Sequence, residues 1–172
     1  LDVVERLRAV DPDFTITTDL IVGFPGEGEQ EFMESLKTAD KADVAHVHIF
    51  PYSVRSGTRA ERMPQHVPSE EKRTRGTRLQ EAAQQRKRAI RERFIGRRQR
   101  VLVEQIRTSP EGPIATGLSE YYHPVSIMVD ADVERSADAI GTTLTPNSFH
   151  DVEITALGSG DDPPLIARLF SK

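Results

Sequence analysis

The sequence predicts an α/β segment, then a long helix, then a small all-β barrel. Three observations carry this. Helix-like and strand-like patterns alternate over the first 52 residues, a polar helical period runs on from Ser69, and a period of two takes over from Gln99. At 172 residues the chain has room for one domain or two small ones. The boundaries read from these shifts are 1–66, 67–96 and 97–172.

Val3, Leu7 and Val10 fall on one helical face, and Pro12 ends it. "FTITTDLIVGF" follows, rich in Thr, Ile and Val, with an apolar end (Leu20, Ile21, Val22) that predicts a strand covered on both faces. A second helix is expected where Phe32, Leu36 and Ala39 share a face, with Glu27, Glu29 and Glu31 near its positive N-terminal end. "DVAHVHIFPY" returns to strand, and helix, strand, helix, strand at this spacing predicts a parallel unit. "SVRSGTRAERMPQHVP" has no period and reads as an ordered loop. From Ser69, a suitable N-cap, a helix of about 25 residues and roughly 37 Å can run to Phe94, with Gly96 as its stop. Its apolar stripe is narrow: Leu79, Ala83, Ile90, Phe94. Five short segments then alternate: "RVLVEQI", "PIATGL", "VSIMV", "DVEITAL" and "LIARLF", divided by Gly, Pro, Asp and Asn, the pattern of an OB-like barrel. "DADVERSADAIGTTLTPNSF" reads as a long loop or an insertion.

Composition narrows the chemistry. No cysteine is present, which excludes disulfides, thiolate nucleophiles and cysteine-ligated metals within this chain. No apolar run of about 18 residues exists to cross a bilayer, and no signal-peptide order opens the chain, so the expectation is a cytoplasmic protein with no membrane partner. Leu1 begins inside an amphipathic pattern without Met, which reads as a portion of something longer. The net charge of −4 hides an asymmetry: residues 72–100 hold twelve Lys or Arg against Glu81 and Glu92. A run like this is usually a solvated face; a balance of +10 with so few acids also fits a phosphate backbone.

"GFPGE" at residues 23–27 sits just after a predicted parallel strand, at the end where such sheets bind ligands. It lacks the Lys and Ser/Thr of a phosphate loop and the spacing of a dinucleotide fingerprint. Pattern alone leaves two readings, a ligand wall and a tight turn. His46 and His48 alternate on one strand face, but two histidines without a third ligand make no metal site, and none is assigned.

"TTDLIVGFPGE", the helix opening "EQEFMESL" and "HVHIFPYSVRSGTRA" together resemble the last part of the radical S-adenosylmethionine barrel of methylthiotransferases. The family pattern YS-x-R-x-GT-x-A is matched by Tyr52, Ser53, Arg55, Gly57, Thr58 and Ala60. The resemblance continues through the basic helix into a TRAM-like barrel, "RRQRVLVEQ…GLSEYYHPVSIMV". It implies the closing strands and helices of a partial TIM-like barrel, followed by the helix and an OB-like TRAM domain. It also implies that Ile21, Gly23, Phe24, Pro25, Phe50 and Tyr52 help wall the adenine of S-adenosylmethionine. The loop would then be shaped for a nucleoside, with glycine letting a ligand come close. The family's iron–sulfur clusters are held by cysteines that this chain does not have. The resemblance therefore implies the carboxyl-terminal portion of a larger enzyme, lacking its N-terminal half and inactive alone. Two parallel strands cannot enclose a barrel, so exposed apolar edges and poor solubility are expected.

Of the family's three branches, one acts on a ribosomal-protein aspartate and tends to have an acid where this chain has Arg55. That favours the anticodon stem-loop of tRNA. The wording "HVHIFPYS" most resembles the threonylcarbamoyladenosine branch, with isopentenyladenosine next; Ser56 departs from the family's usual Pro. Candidate contacts to RNA are Ser53, Arg55, Arg86, Arg97, Arg98, Tyr121 and Tyr122. Arg55 could grip the carboxylate of the threonylcarbamoyl group, and the tyrosines, with His123, could stack on bases. Each ring could equally be ordinary barrel packing. The competing class is a non-catalytic RNA-binding module; an unrelated nucleotide-binding α/β domain leaves the barrel and the arginines unexplained.

Overall fold

The computed structural model describes residues 1–109, 112–128 and 144–169. They form two compact units, Leu1–Lys87 and Arg88–Lys172, divided within the long helix. In order the elements are α1 (Asp2–Val10), β1 (Thr17–Val22), α2 (Glu29–Lys41), β2 (His46–Pro51), a short 3-10 turn (Ala60–Arg62), α3 (Ser69–Glu92) and five strands, β3 (Arg98–Ser109), β4 (Gly112–Ser119), β5 (Pro124–Met128), β6 (Ser148–Leu157) and β7 (Leu165–Leu169). Among the described residues no helix is long and apolar enough to cross a membrane. The loop or insertion expected at 130–149 falls mostly outside the described residues.

In the first unit β1 and β2 pair in parallel, with Thr17 opposite His46, Asp19 opposite His48 and Ile21 opposite Phe50. Cβ atoms alternate faces along a strand, so these three pairs share one side of the sheet. The other side carries Leu20 and Val22, which pack with Phe32, Val44, Val47 and Leu79. This corrects the expectation that β1 is covered on both faces. Only Val22 of the strand is buried, while Ile21 is 56% exposed. Among the described residues helices lie against one side of the sheet. The face of α1 also differs from expectation: Val3 and Val10 are exposed, no residue of the helix is buried, and Arg8 ties it to Asp43 by an ion pair of 3.5 Å.

Three cations of α3 are spent on α2 and the residues just before it. Arg75, only 2% exposed, pairs with Glu27 at 2.8 Å and with Glu71 on its own helix. Arg78 pairs with Glu29 at 2.7 Å, and the hydrogen bond from its guanidinium holds that exposed carboxyl below its ordinary pKa. Arg86, its side chain 9% exposed, pairs with Asp40 at 3.2 Å. The Arg75 and Arg78 guanidiniums also lie 5.8 and 4.7 Å from the ring of Phe32, itself 1% exposed. Part of the charge of residues 72–100 is thus met by acids from elsewhere in the chain.

In the second unit five strands close into a barrel in the order β3-β4-β5-β7-β6, with β5 and β7 parallel and the other pairs antiparallel. The closed five-stranded form is compatible with the OB-like barrel expected from the period of two. Val101, Val103, Ala115, Ile127, Ile154 and Leu165 are fully enclosed, one from every second position as the pleat requires. Strand β3 is longer than its sequence period suggested and carries an irregularity between Val103 and Gln105. Beside it Gly117 lets two strands approach: a Cβ there would stand 1.9 Å from the Leu102 carbonyl oxygen. Ile90 and Phe94 are buried, as their stripe predicts, although the helix ends at Glu92 and the chain turns at Gly96 with φ +82°.

Two substitutions separate these effects. Gly117→Ala should lower stability by about 1–3 kcal/mol or more, because the obstructing atom is backbone. Gly76→Ala, in α3 with nothing within 4 Å of the new Cβ, should raise it by about 0.5–1 kcal/mol. Urea unfolding of both variants checks the pair. Arg75→Met should cost about 3 kcal/mol by stranding the enclosed Glu27 carboxylate. Arg73→Met, which cuts a solvent-exposed pair with Glu70, should leave the midpoint unchanged in the same assay.

Candidate nucleoside and RNA sites

The loop after β1 is held shut from inside. The Glu27 carboxylate accepts the Gly23 N–H through both oxygens at 3.1 Å, and the Glu27 N–H donates to the Phe24 carbonyl at 2.9 Å. Arg75 donates to the same carboxylate at 2.8 Å and to the Glu27 carbonyl at 2.9 Å. Gly23 adopts φ +74° and Gly26 φ +86°, conformations that L side chains rarely take. An acid already sits on the loop's N–H, so a phosphate would meet like charge there.

Gly23 also plays a part that the sequence did not show. A Cβ on it would lie 2.3 Å from Cγ of Lys72, so the stem of an α3 side chain presses on this glycine. Pro25 is buried in the same turn. Phe24 remains 40% exposed and meets Tyr52 edge-on, with ring centroids 5.2 Å apart. Tyr52 is half-buried between Phe24, His66 and the Lys72 ammonium, which lies 5.5 Å from its ring centroid. Its hydroxyl is enclosed, with no hydrogen-bond partner among the described residues.

Ile21 and Phe50 are direct neighbours across the two strands, 56% and 50% exposed. They make an open apolar pair at the C-terminal end of the sheet. One register step further back lie Asp19 and His48, both exposed, and then Thr17 and His46. The His46 and His48 rings touch edge to face at 4.4 Å. Among the described residues no group of three or more His, Asp or Glu is placed to hold a metal ion. A groove of about 460 Å³ lies between α1, β1 and α2, lined by Val4, Ile16, Leu20, Ala39 and Val44 among others, and none of the site residues predicted from sequence line it.

Beyond Tyr52 the loop is knit by its own polar groups. Thr58 Oγ1 donates to the Arg55 carbonyl at 2.8 Å, and the Gly57 N–H donates to Glu61 at 2.7 Å. Ser53 and Arg55 are exposed, as are Arg59 and Arg62, two further cations of this loop that the count over residues 72–100 passed over.

The second unit gathers a different set. Phe94, 2% exposed, lies 5.4 Å from Tyr121, 5.0 Å from His123 and 5.2 Å from the Arg97 guanidinium. Tyr121 and His123 therefore serve packing, half-buried and buried respectively. Tyr122 does not: it is 78% exposed, in a left-handed conformation with φ +60°. Ser119 builds that turn, its carbonyl accepting the Tyr122 N–H at 2.8 Å and its hydroxyl accepting the His123 N–H at 3.2 Å. The Glu120 N–H donates to the Arg100 carbonyl at 2.9 Å, which brings the turn beside the start of β3 with exposed Arg97, Arg98 and Arg100. Arg86 stands apart from this set, its charge committed to Asp40.

No protein-family model matches the chain. Curated relatives do. It is 42% identical over 120 residues, 70% of its length, to a threonylcarbamoyladenosine tRNA methylthiotransferase of Thermotoga maritima, and 37% identical over 129 residues to one of Chlamydia pneumoniae. It is 42% identical over 154 residues, 90% of its length, to a tRNA-2-methylthio-N(6)-dimethylallyladenosine synthase of Pelobacter propionicus. These matches cover 27%, 30% and 32% of the respective relatives, so the chain spans about a quarter to a third of their length. Over most of its own length, this chain is a homologue of the tRNA methylthiotransferases.

Proposed function

We propose that this chain is the carboxyl-terminal part of a tRNA methylthiotransferase acting on threonylcarbamoyladenosine beside the anticodon, in the cytoplasm. The observation that carries the reading is the exposed Ile21–Phe50 pair in a homologue of enzymes that modify tRNA nucleosides. An apolar pair beside a loop whose Gly23 N–H is already taken by Glu27 suits the flat, neutral face of an adenine. These residues fit S-adenosylmethionine, which when bound supplies the reactive group; the chain's part is to hold and orient its nucleoside. The two-stranded sheet belongs, on this reading, to a larger parallel radical S-adenosylmethionine barrel, and the second unit is a TRAM domain.

The same residues do not fit an iron–sulfur cluster ligated by cysteine, since the chain has none. Electron and sulfur transfer fall to residues it does not contain, and no reaction step is assigned to its own side chains. A dimethylallyladenosine substrate is the second reading, favoured by the 90% coverage in the Pelobacter propionicus relative.

Arg55 discriminates between the two, because only the threonylcarbamoyl group offers a carboxylate. In the whole enzyme, Arg55→Lys should reduce kcat/KM about tenfold on tRNA carrying threonylcarbamoyladenosine and leave cofactor binding intact. Equal rates for variant and wild type would remove Arg55 from the site. For the second unit, Tyr122→Ala should weaken binding of the chain to an anticodon stem-loop RNA by about 1–3 kcal/mol without changing its salt dependence. Arg98→Gln should reduce the slope of log affinity against log salt by about 1. Titrations at two ionic strengths measure both.

A further inference from the structure

Two loops meet at the C-terminal end of the parallel sheet, residues 23–28 after β1 and 52–68 after β2. One supplies Phe24 and the other Tyr52, and the two rings touch. A backbone bond between them joins the Gly26 N–H to the Gln65 carbonyl at 3.0 Å. What fixes their relative height comes from the first turns of α3. The aliphatic stem of Lys72 lies against Gly23 so closely that a Cβ there would sit 2.3 Å from its Cγ. Its ammonium donates to the Tyr52 carbonyl at 2.9 Å and lies 5.5 Å from the Tyr52 ring centroid. One side chain thus touches both loops, apolar stem on one and charged tip on the other. Three residues on, Arg75 grips Glu27 of the first loop.

We infer that Lys72 is a positioning residue that couples the two loops, setting Phe24 and Tyr52 at the height at which a nucleoside can lie across Ile21 and Phe50. The assignment rests on the nucleoside reading of that pair. Its motif has two distant parts: a glycine in the left-handed region at position 23 and a long cationic stem at position 72. Neither alone explains the other, since φ +74° asks for a glycine but not for open space, and the stem needs the space.

The test uses the full 172-residue chain, with Lys72→Met to keep a stem but lose the ammonium, Lys72→Arg to restore a cationic donor, and Arg73→Met as a control. Amide hydrogen exchange is read at Gly26 and Tyr52, one in each loop. Loss of a charge-assisted bond predicts exchange about tenfold faster at both amides in Lys72→Met, with recovery in Lys72→Arg and no effect in the control. Faster exchange in one loop only, or in neither, overturns the coupling. Calorimetry with S-adenosylhomocysteine as probe then reads the consequence: about fivefold weaker binding by Lys72→Met at an unchanged melting temperature supports positioning. Equal affinity in wild type and Lys72→Met overturns it. If the wild-type chain does not bind the probe, the nucleoside reading of this chain fails, and the exchange data still decide whether Lys72 couples the loops. Should Lys72→Met not fold, Lys72→Gln against Lys72→Arg gives the same comparison.

Discussion

The first unit depends on the enclosed ion pair between Arg75 and Glu27. Their side chains are 3% and 12% exposed, so each would be expensive to bury without the other. The cost is offset because the guanidinium also bonds the Glu27 carbonyl and a second carboxylate, Glu71. Everything about the loop follows from where that carboxylate is pinned. It accepts the Gly23 N–H, which folds residues 23–27 back on themselves and leaves Phe24 partly exposed with its ring against Tyr52. A helix and a loop almost fifty positions apart in sequence are thereby one electrostatic object. Its outward consequence is that the Gly23 N–H, a donor that could draw in an anion, is already satisfied by the chain's own acid.

Much of this architecture was legible in the residues, because periodicity reports burial. Leu79, Ile90 and Phe94 were read as the inward stripe of the long helix and are buried. The alternation in "RVLVEQI" and "DVEITAL" marks strands β3 and β6, whose inward residues Val101, Val103, Val152 and Ile154 are fully enclosed. The reading failed where a pattern depends on what lies opposite. Leu20, Ile21 and Val22 look alike as letters, yet Ile21 points to the side of the sheet away from the helices. Likewise Arg78 and Arg86 resemble free cations in a charge count, and only the fold shows Glu29 and Asp40 waiting across the interface with α2.

The candidate site was legible as composition but not as mechanics. Apolar residues after a parallel strand, with glycine between them, mark a place where a ring can lie. That Gly23 accommodates a lysine stem could not be read locally, because the cause sits at residue 72. Tyr121 and Tyr122 show the same limit at shorter range. Two adjacent identical side chains divide their roles, one packed on Phe94 and the other in solvent, because Ser119 gathers the N–H groups of the turn and forces Tyr122 into positive φ.

That turn has a consequence for anyone stabilising this protein. A tyrosine at φ +60° carries a steric cost on the order of 1 kcal/mol that glycine would not. Any procedure that selects for folding alone, whether by melting temperature or by resistance to proteolysis, will therefore favour glycine at position 122 and will be rewarded for deleting the most exposed aromatic ring among the described residues of the second unit. Gain in robustness and loss of the presented ring would come from one and the same substitution, which makes this position a marker of how far the fold can be hardened before its exposed surface changes.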